Sequence, residues 1–157
     1  MKRQRGMVLL LALVLSLLLG LLAASAVRDA QVETRMAGYL RDGLVAFEQA
    51  EAALLAGADE LQRAPPALCR ACPPPPRPHE LSGQWQPTER GYFQLQNLGE
   101  TTRAVHMLED EPVTLFRVTA VSLQAEARQV LEAVYAVPAD QAQAPQRILW
   151  RQIPRED

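Results

Sequence analysis

The distribution of apolar residues divides the chain into three parts, and the first is the most hydrophobic. Residues 7–27 carry no charge, and their apolar run is interrupted only by Ser16, Gly20 and Ser25. A helix of this length rises about 30 Å, which matches the hydrocarbon core of a bilayer. The sequence therefore predicts a transmembrane helix directly after a short basic leader, residues 1–6.

A second helical pattern follows without a break over residues 28–57. Apolar side chains recur there at steps of three and four residues, apart from one gap at Glu51, with charged side chains between them. These apolar positions are Val32, Met36, Leu40, Leu44, Phe47, Leu54 and Leu55. Gly38 and Gly43 each weaken the helix by about 1 kcal/mol relative to alanine and would allow a bend. We expect one helix that is apolar all round in 7–27 and amphipathic in 28–57, where it packs against a head.

The third part, residues 91–157, has the composition of a small β head. Runs of β-branched and aromatic residues predict strands, because these side chains suit a pleated, half-buried surface. The predicted strands are 92–98, 113–121, 127–137 and 147–153, with 104–108 as a weaker candidate. Four or five antiparallel strands against an amphipathic helix give an α+β fold of two layers.

Between helix and head, residues 58–90 are predicted to form a proline-rich linker. Residues 64–79 contain seven of the twelve prolines, and four consecutive prolines exclude helix and favour an extended connector. Cys69 and Cys72 form a C-x-x-C pair in this segment. A thioredoxin-like site, a haem site and a zinc site would each need neighbouring groups that the sequence does not supply. We therefore predict a local disulfide worth about 2 kcal/mol, no metal, no cofactor, and a solvated His79.

Charge and motif content exclude other classes of function. Taking Lys2, Arg3 and Arg5 from the 16 basic residues leaves 13 against 18 acidic ones, and no lysine follows the leader. Such a balance disfavours nucleic-acid binding through a broad basic patch. No nucleophile motif or glycine-rich phosphate loop occurs, so the sequence does not predict an enzyme.

Several stretches resemble one protein family. Residues 5–15, Arg-Gly-Met-Val-Leu-Leu-Leu-Ala-Leu-Val-Leu, resemble a class III leader and the start of a type IV pilin. Residues 33–42 and 46–54 resemble the N-terminal region of PilX-type minor pilins. More loosely, residues 116–120 and 131–135 resemble the C-terminal sheet of PilX-like and K-type pseudopilin proteins. The resemblance implies a pilin-like fold.

The resemblance also implies a processing route and a position in a filament. In this family a prepilin peptidase cuts after the residue matching Gly6, and the new terminus, Met7, is N-methylated. Most pilins then carry glutamate at the fifth residue, where it helps to align an incoming subunit with its neighbour. Here that residue is Leu11. Similar subunits without the glutamate are associated with the tip of secretion pseudopili, so Leu11 indicates a tip subunit.

The expected function is therefore that of a minor pilin in the initiating tip complex of a type IV pilus. Its expected partners are other minor pilins, the pilus assembly machinery and a tip adhesin. It would lie in the inner membrane with a periplasmic head before assembly, and in the extracellular pilus afterwards. Two alternatives stay open: a type II secretion pseudopilin at the pseudopilus tip, and a secreted periplasmic protein. The second would be cut after Ala26, because residues 24–26 form an A-x-A signal-peptidase site.

Overall fold

One long helix precedes the sheet in the computed structural model, which describes residues 3–107, 110–138 and 144–155. Helix α1 covers Arg3–Arg63 without interruption. The chain divides into two compact units, Met1–Arg41 and Asp42–Asp157. Met1 and Lys2 of the predicted leader lie outside the described residues.

The second unit contains an antiparallel sheet in which neighbours in sequence are neighbours in space. A 3₁₀ turn, Pro78–Glu80, follows α1. The strands are then β1 (Gln86–Pro87), β2 (Gly91–Thr101), β3 (Val113–Ser122), β4 (Val130–Pro138) and β5 (Gln146–Ile153). They lie in the order β1-β2-β3-β4-β5, and every pairing is antiparallel. The predicted α+β class, with a helix packed on a small antiparallel sheet, is confirmed.

Some boundaries differ from those predicted from the sequence. Helix α1 ends at Arg63 instead of near residue 57, and it stops where Pro65 and Pro66 make a further helical turn unfavourable. The weak strand candidate 104–108 is wrong for residues 104–107, which form turns; Leu108 lies outside the described residues. His106 has a positive φ of 64° there, which a strand does not tolerate. The short strand β1 lies inside the segment that was predicted to be linker.

A stripe of small residues forms the face of α1 that packs on the sheet. Ala46, Ala50 and Ala53 are fully buried, as is Leu54. Sequence periodicity placed larger residues on this face, but Leu44 and Leu55 are 71% and 57% exposed. The facing side chains come from β2, β3 and β4 and include Phe93, Phe116, Val118, Ala120, Leu131, Ala133 and Tyr135. Because alanine adds little height to the helix surface, the helix backbone can approach the sheet closely.

Two glycines mark the closest approach between helix and sheet. A Cβ placed on Gly57 would lie 2.6 Å from Val118 Cγ1 and 3.2 Å from the Phe93 ring. A Cβ on Gly91 would collide with the backbone carbonyl oxygen of Val121 and would lie 3.3 Å from the Cβ of Ala53. Real Cβ atoms do not sit this close to their neighbours, so both positions require glycine for steric reasons.

This contact predicts that Gly57→Val destabilises the head. The added side chain has to displace Val118 and Phe93 in a packed core, and overpacking of this kind costs about 1–3 kcal/mol. Gly43→Val is the matched control, because a Cβ on Gly43 meets nothing within 4 Å. Denaturant unfolding of the detergent-solubilised full chain measures both. Equal stability of the two variants would contradict the close approach at Gly57.

Candidate functional site

The residues predicted to direct processing and filament position all lie on α1. Gly6 is within the helix, and the side chains of Met7 and Leu11 are 73% and 71% exposed. Helix α1 is long and apolar enough from Met7 onward to cross a membrane. Length and composition permit a membrane anchor here, although a signal sequence near an N-terminus passes the same test.

The two cysteines are the predicted site residues that the fold brings together. Cys69 and Cys72 form a disulfide with their Cα atoms 5.8 Å apart. The pair is attached to the sheet, because the backbone N–H of Cys69 donates to the carbonyl oxygen of Asn97 over 3.2 Å. The side-chain amide of Asn97 in turn donates to the carbonyl oxygen of Pro66 over 3.0 Å. The segment predicted as a linker is therefore docked on the irregular part of β2 near Asn97, where the register shifts.

The docked segment continues across the face of the sheet opposite α1. Successive residues of a strand point to opposite faces, so Gln96 and Arg117 point away from the helix that Leu95 and Phe116 contact. The Gln96 side-chain amide donates to the carbonyl oxygen of Pro73 over 2.9 Å. We call residues 66–80, which include the disulfide and the proline run, the proline strap.

A buried ion cluster lies beneath the proline strap. The carboxylate of Glu132 has 3% of its side chain exposed and accepts two hydrogen-bond-length contacts from Arg151, at 2.8 Å from Nε and 2.7 Å from Nη2. Arg117 approaches the other carboxylate oxygen, with its Nε at 3.5 Å. Arg117 also donates from Nη1 to the carbonyl oxygen of Cys72 over 3.0 Å and to Gln96 Oε1 over 2.9 Å. The cluster thus joins three strands to the strap beside the disulfide.

The chemistry of this cluster is structural. A carboxylate removed from water needs opposite charge and hydrogen bonds to offset its desolvation. Both guanidinium groups supply positive charge, and Arg151 supplies the hydrogen bonding, to Oε1. The planar guanidinium group suits this role because it can bind a carboxylate and a backbone carbonyl at the same time. Within the described ranges, no group of three His, Cys, Asp or Glu residues lies close enough together to hold a metal ion.

A cleft of about 360 Å³ opens where the proline strap passes the end of β5. One wall is formed by the strap, including Pro74, Pro75 and Pro78, and the other by residues 151–155. Three arginines line the cleft, namely Arg77, Arg151 and Arg155, with Glu80 as the lining carboxylate. Arg77 Nη1 lies 3.0 Å from a carboxylate oxygen of Glu80, so one of the positive charges is paired.

His79 also lines the cleft and is not the solvated loop residue predicted from the sequence. It lies in the 3₁₀ turn and is partly buried. Arg128 Nη1 donates to its backbone carbonyl oxygen over 2.7 Å and holds the turn on the head. Burial, followed by the positive charges of Arg155 and Arg128, lowers the pKa of His79 below its ordinary value. The imidazole is consequently neutral over a wider range of pH and leaves the charge of the cleft to the arginines.

Hydrophobic periodicity does not reveal the ion cluster, although two charged residues in the strands are a weak signal of it. Glu132 and Arg117 are single charged residues inside runs that otherwise read as buried strands. A lone charge in such a run is unfavourable unless a partner lies opposite it. The register supplies the partner of Glu132, because it places Arg151 of β5 directly opposite. Identifying the ion cluster therefore required the strand register.

Comparison with known proteins does not add a family to these observations. No family model, curated protein or solved structure matches the chain. The functional assignment therefore depends on the properties of the chain itself.

The ion cluster predicts a specific loss of stability for Glu132→Gln. This change leaves Arg117, whose side chain is 16% exposed, without its carboxylate partner, and breaking a buried pair costs about 3–5 kcal/mol. Glu126→Gln is the matched control, because Glu126 is exposed and surface substitutions of this kind stay within about 0.5 kcal/mol. Denaturant unfolding of the full chain in detergent measures the difference. If both variants unfold at the wild-type midpoint, the cluster does not hold the strap.

Proposed function

We propose that this chain is a minor pilin of the PilX type that takes part in type IV pilus assembly, in the complex that initiates the filament tip. Its role is structural: it carries a head to the filament end and joins neighbouring subunits through α1. The proposal draws on the family resemblance of residues 5–15, 33–42 and 46–54, and on the properties of α1.

The observation that carries the proposal is the division of one helix between two environments. The leucines and valines of residues 7–22 are 46–72% exposed, and no residue among them is charged, as a segment in lipid or in a filament core requires. Further along the same helix, Ala46, Ala50 and Ala53 belong to the core of the head. An anchor that continues into the core of its own domain is suited to an assembly subunit.

The same continuity disfavours the secreted alternative. Residues 24–26, the A-x-A site, lie within α1. A cut after Ala26 would discard the exposed apolar part of the helix, whereas a cut after Gly6 retains it. On the proposed route the chain first lies in the inner membrane with its head in the periplasm. A prepilin peptidase then processes it, and it joins other minor pilins and the assembly machinery in a pilus that presents a tip adhesin.

A second candidate within the same class is a type II secretion pseudopilin at the pseudopilus tip. The observation that favours it is Leu11, which occupies the fifth position after Gly6 where most pilins have glutamate. A carboxylate within lipid costs several kcal/mol and is kept where it has a partner. A terminal subunit has no subunit above it, so leucine suits the tip of a secretion pseudopilus, with which similar subunits lacking the glutamate are associated.

The mature N-terminus tests the assignment to this class. We expect mass spectrometry of the exported protein to find N-methylated Met7, and Gly6→Val to leave an unprocessed precursor, because a peptidase pocket that fits glycine excludes a larger side chain. Gly20→Val is the matched control and should be processed normally, since it lies beyond the cut in open space. An N-terminus at Val27, or normal processing of Gly6→Val, would overturn the proposal.

The tip position is tested by Leu11→Glu, with Leu15→Glu as its control one helical turn later. A carboxylate without a partner in the membrane costs about 3 kcal/mol, so both variants should have reduced protein levels or reduced ability to initiate filaments. Pilus counts and immunogold labelling measure the effect. If Leu11→Glu alone spreads along the filament shaft at normal pilus number, the residue does not reflect a tip position.

A further inference from the structure

The two edges of the sheet differ in how they are covered. The edge at β2 is covered by β1, which pairs with Tyr92 and Phe93, and by the strap, where Leu68 forms a bridge to Asn97. The other edge is β5, the last strand in the order, and no strand pairs with its outer side within the described residues. Six of the eight β5 residues are exposed. An open strand edge presents unpaired N–H and C=O groups that another extended chain can complete.

Positive charge is concentrated along this open edge. Arg147, Arg151 and Arg155 recur at every fourth residue, and the acidic residues Glu156 and Asp157 come after the last of them. Arg151 is partly neutralised by Glu132, and Arg147 lies 3.9 Å from Glu51. Arg155 has no ion-pair partner in the part of the chain that the structure describes, and it lines the cleft at the end of β5. The open edge therefore leads directly into a cationic cleft.

The walls of the cleft suit a peptide better than a free anion. Pro74, Pro75 and Pro78 form a rigid apolar wall on one side, and Ile153 and Pro154 contribute apolar surface on the other. A segment that extends β5 would place alternate side chains on the strap side of the sheet, within reach of this volume. Backbone pairing would supply affinity, and the cleft would select among side chains.

We propose that the outer edge of β5 and the adjoining cleft form a docking site for an extended, acidic segment of a partner protein. The segment adds to the sheet as a further strand beside β5. One of its carboxylates enters the cleft and binds Arg155, with Arg77 on the opposite wall. The contact requires an accessible head and does not depend on the assignment to pili.

A second copy of this chain is a poorer occupant of the same edge. A second β5 would bring the arginines of another copy against Arg147, Arg151 and Arg155 of the first. Like charges directly opposite each other destabilise a pair of strands. Arginines on an edge strand thus oppose self-association while they attract an acidic chain.

The test uses the full chain in a zwitterionic detergent and a fluorescent synthetic peptide with blocked ends, in which valine and threonine alternate with glutamate. Fluorescence anisotropy measures its binding. A second peptide has glutamine in place of every glutamate. Two further peptides carry N-methyl groups on the backbone amides of one edge or of the other. Arg155→Glu is the site variant, and Arg103→Glu is its control, an exposed arginine just after β2 at the opposite end of the sheet.

We expect the glutamate peptide to bind and the glutamine peptide to bind at least about tenfold more weakly. Arg155→Glu should cause a loss of similar size, Arg103→Glu should not, and methylation of one peptide edge should abolish binding while methylation of the other does not. Absence of binding to the wild-type chain overturns the proposal. Equal effects of Arg155→Glu and Arg103→Glu would instead show diffuse charge attraction. Concentration-dependent self-association that excludes the peptide would show that a second copy occupies the edge.

Discussion

The close contact between α1 and the sheet is the constraint on which the head depends. Alanines on one side of the helix and glycines at positions 57 and 91 bring backbone within van der Waals distance of strand side chains and, at Gly91, of another strand's carbonyl group. Large side chains would add buried area but would separate the two layers. The aromatic rings of Phe93, Phe116 and Tyr135 fill the core from the sheet side. At its periphery, Phe47 and Trp150 meet edge to face with ring centroids 6.2 Å apart.

The proline strap makes the opposite face of the sheet an interior as well. A sheet with one helix on it would normally leave its other face in water, and Thr119, Glu132, Val121 and Val130 would then be accessible. All four are buried. Burial of Glu132 is tolerated because Arg151 donates to one of its carboxylate oxygens and the positive charge of Arg117 lies 3.5 Å from the other. Arg117 is itself held by the strap, through the carbonyl oxygen of Cys72. The disulfide fixes the turn from which the strap begins.

The sequence predicted most of the fold because local patterns determine most of it. A short stretch of sequence is enough to recognise an uncharged run of leucines, an amphipathic helix or a strand of β-branched residues. The buried face of the helix was harder to predict, because alanine differs little in hydrophobicity from its neighbours. The leucines at positions 44 and 55 fit the helical periodicity but are exposed. The roles of Glu132 and of the strap depended on strand register, which brings together residues from distant parts of the chain. The disulfide could be predicted from the spacing of the two cysteines, whereas its attachment to Asn97 could not be predicted.

The alanine stripe also has a consequence for the order in which the chain is made. Residues 46–61 of α1 are synthesised before any strand that will cover them, because β2, β3 and β4 all follow at residue 91 or later. A face built from leucine or phenylalanine would expose a large apolar surface, to which other proteins could bind during that interval. A face built chiefly from alanine and glycine exposes little apolar area until the sheet arrives. The helix therefore has a low tendency to aggregate before its partner strands are synthesised.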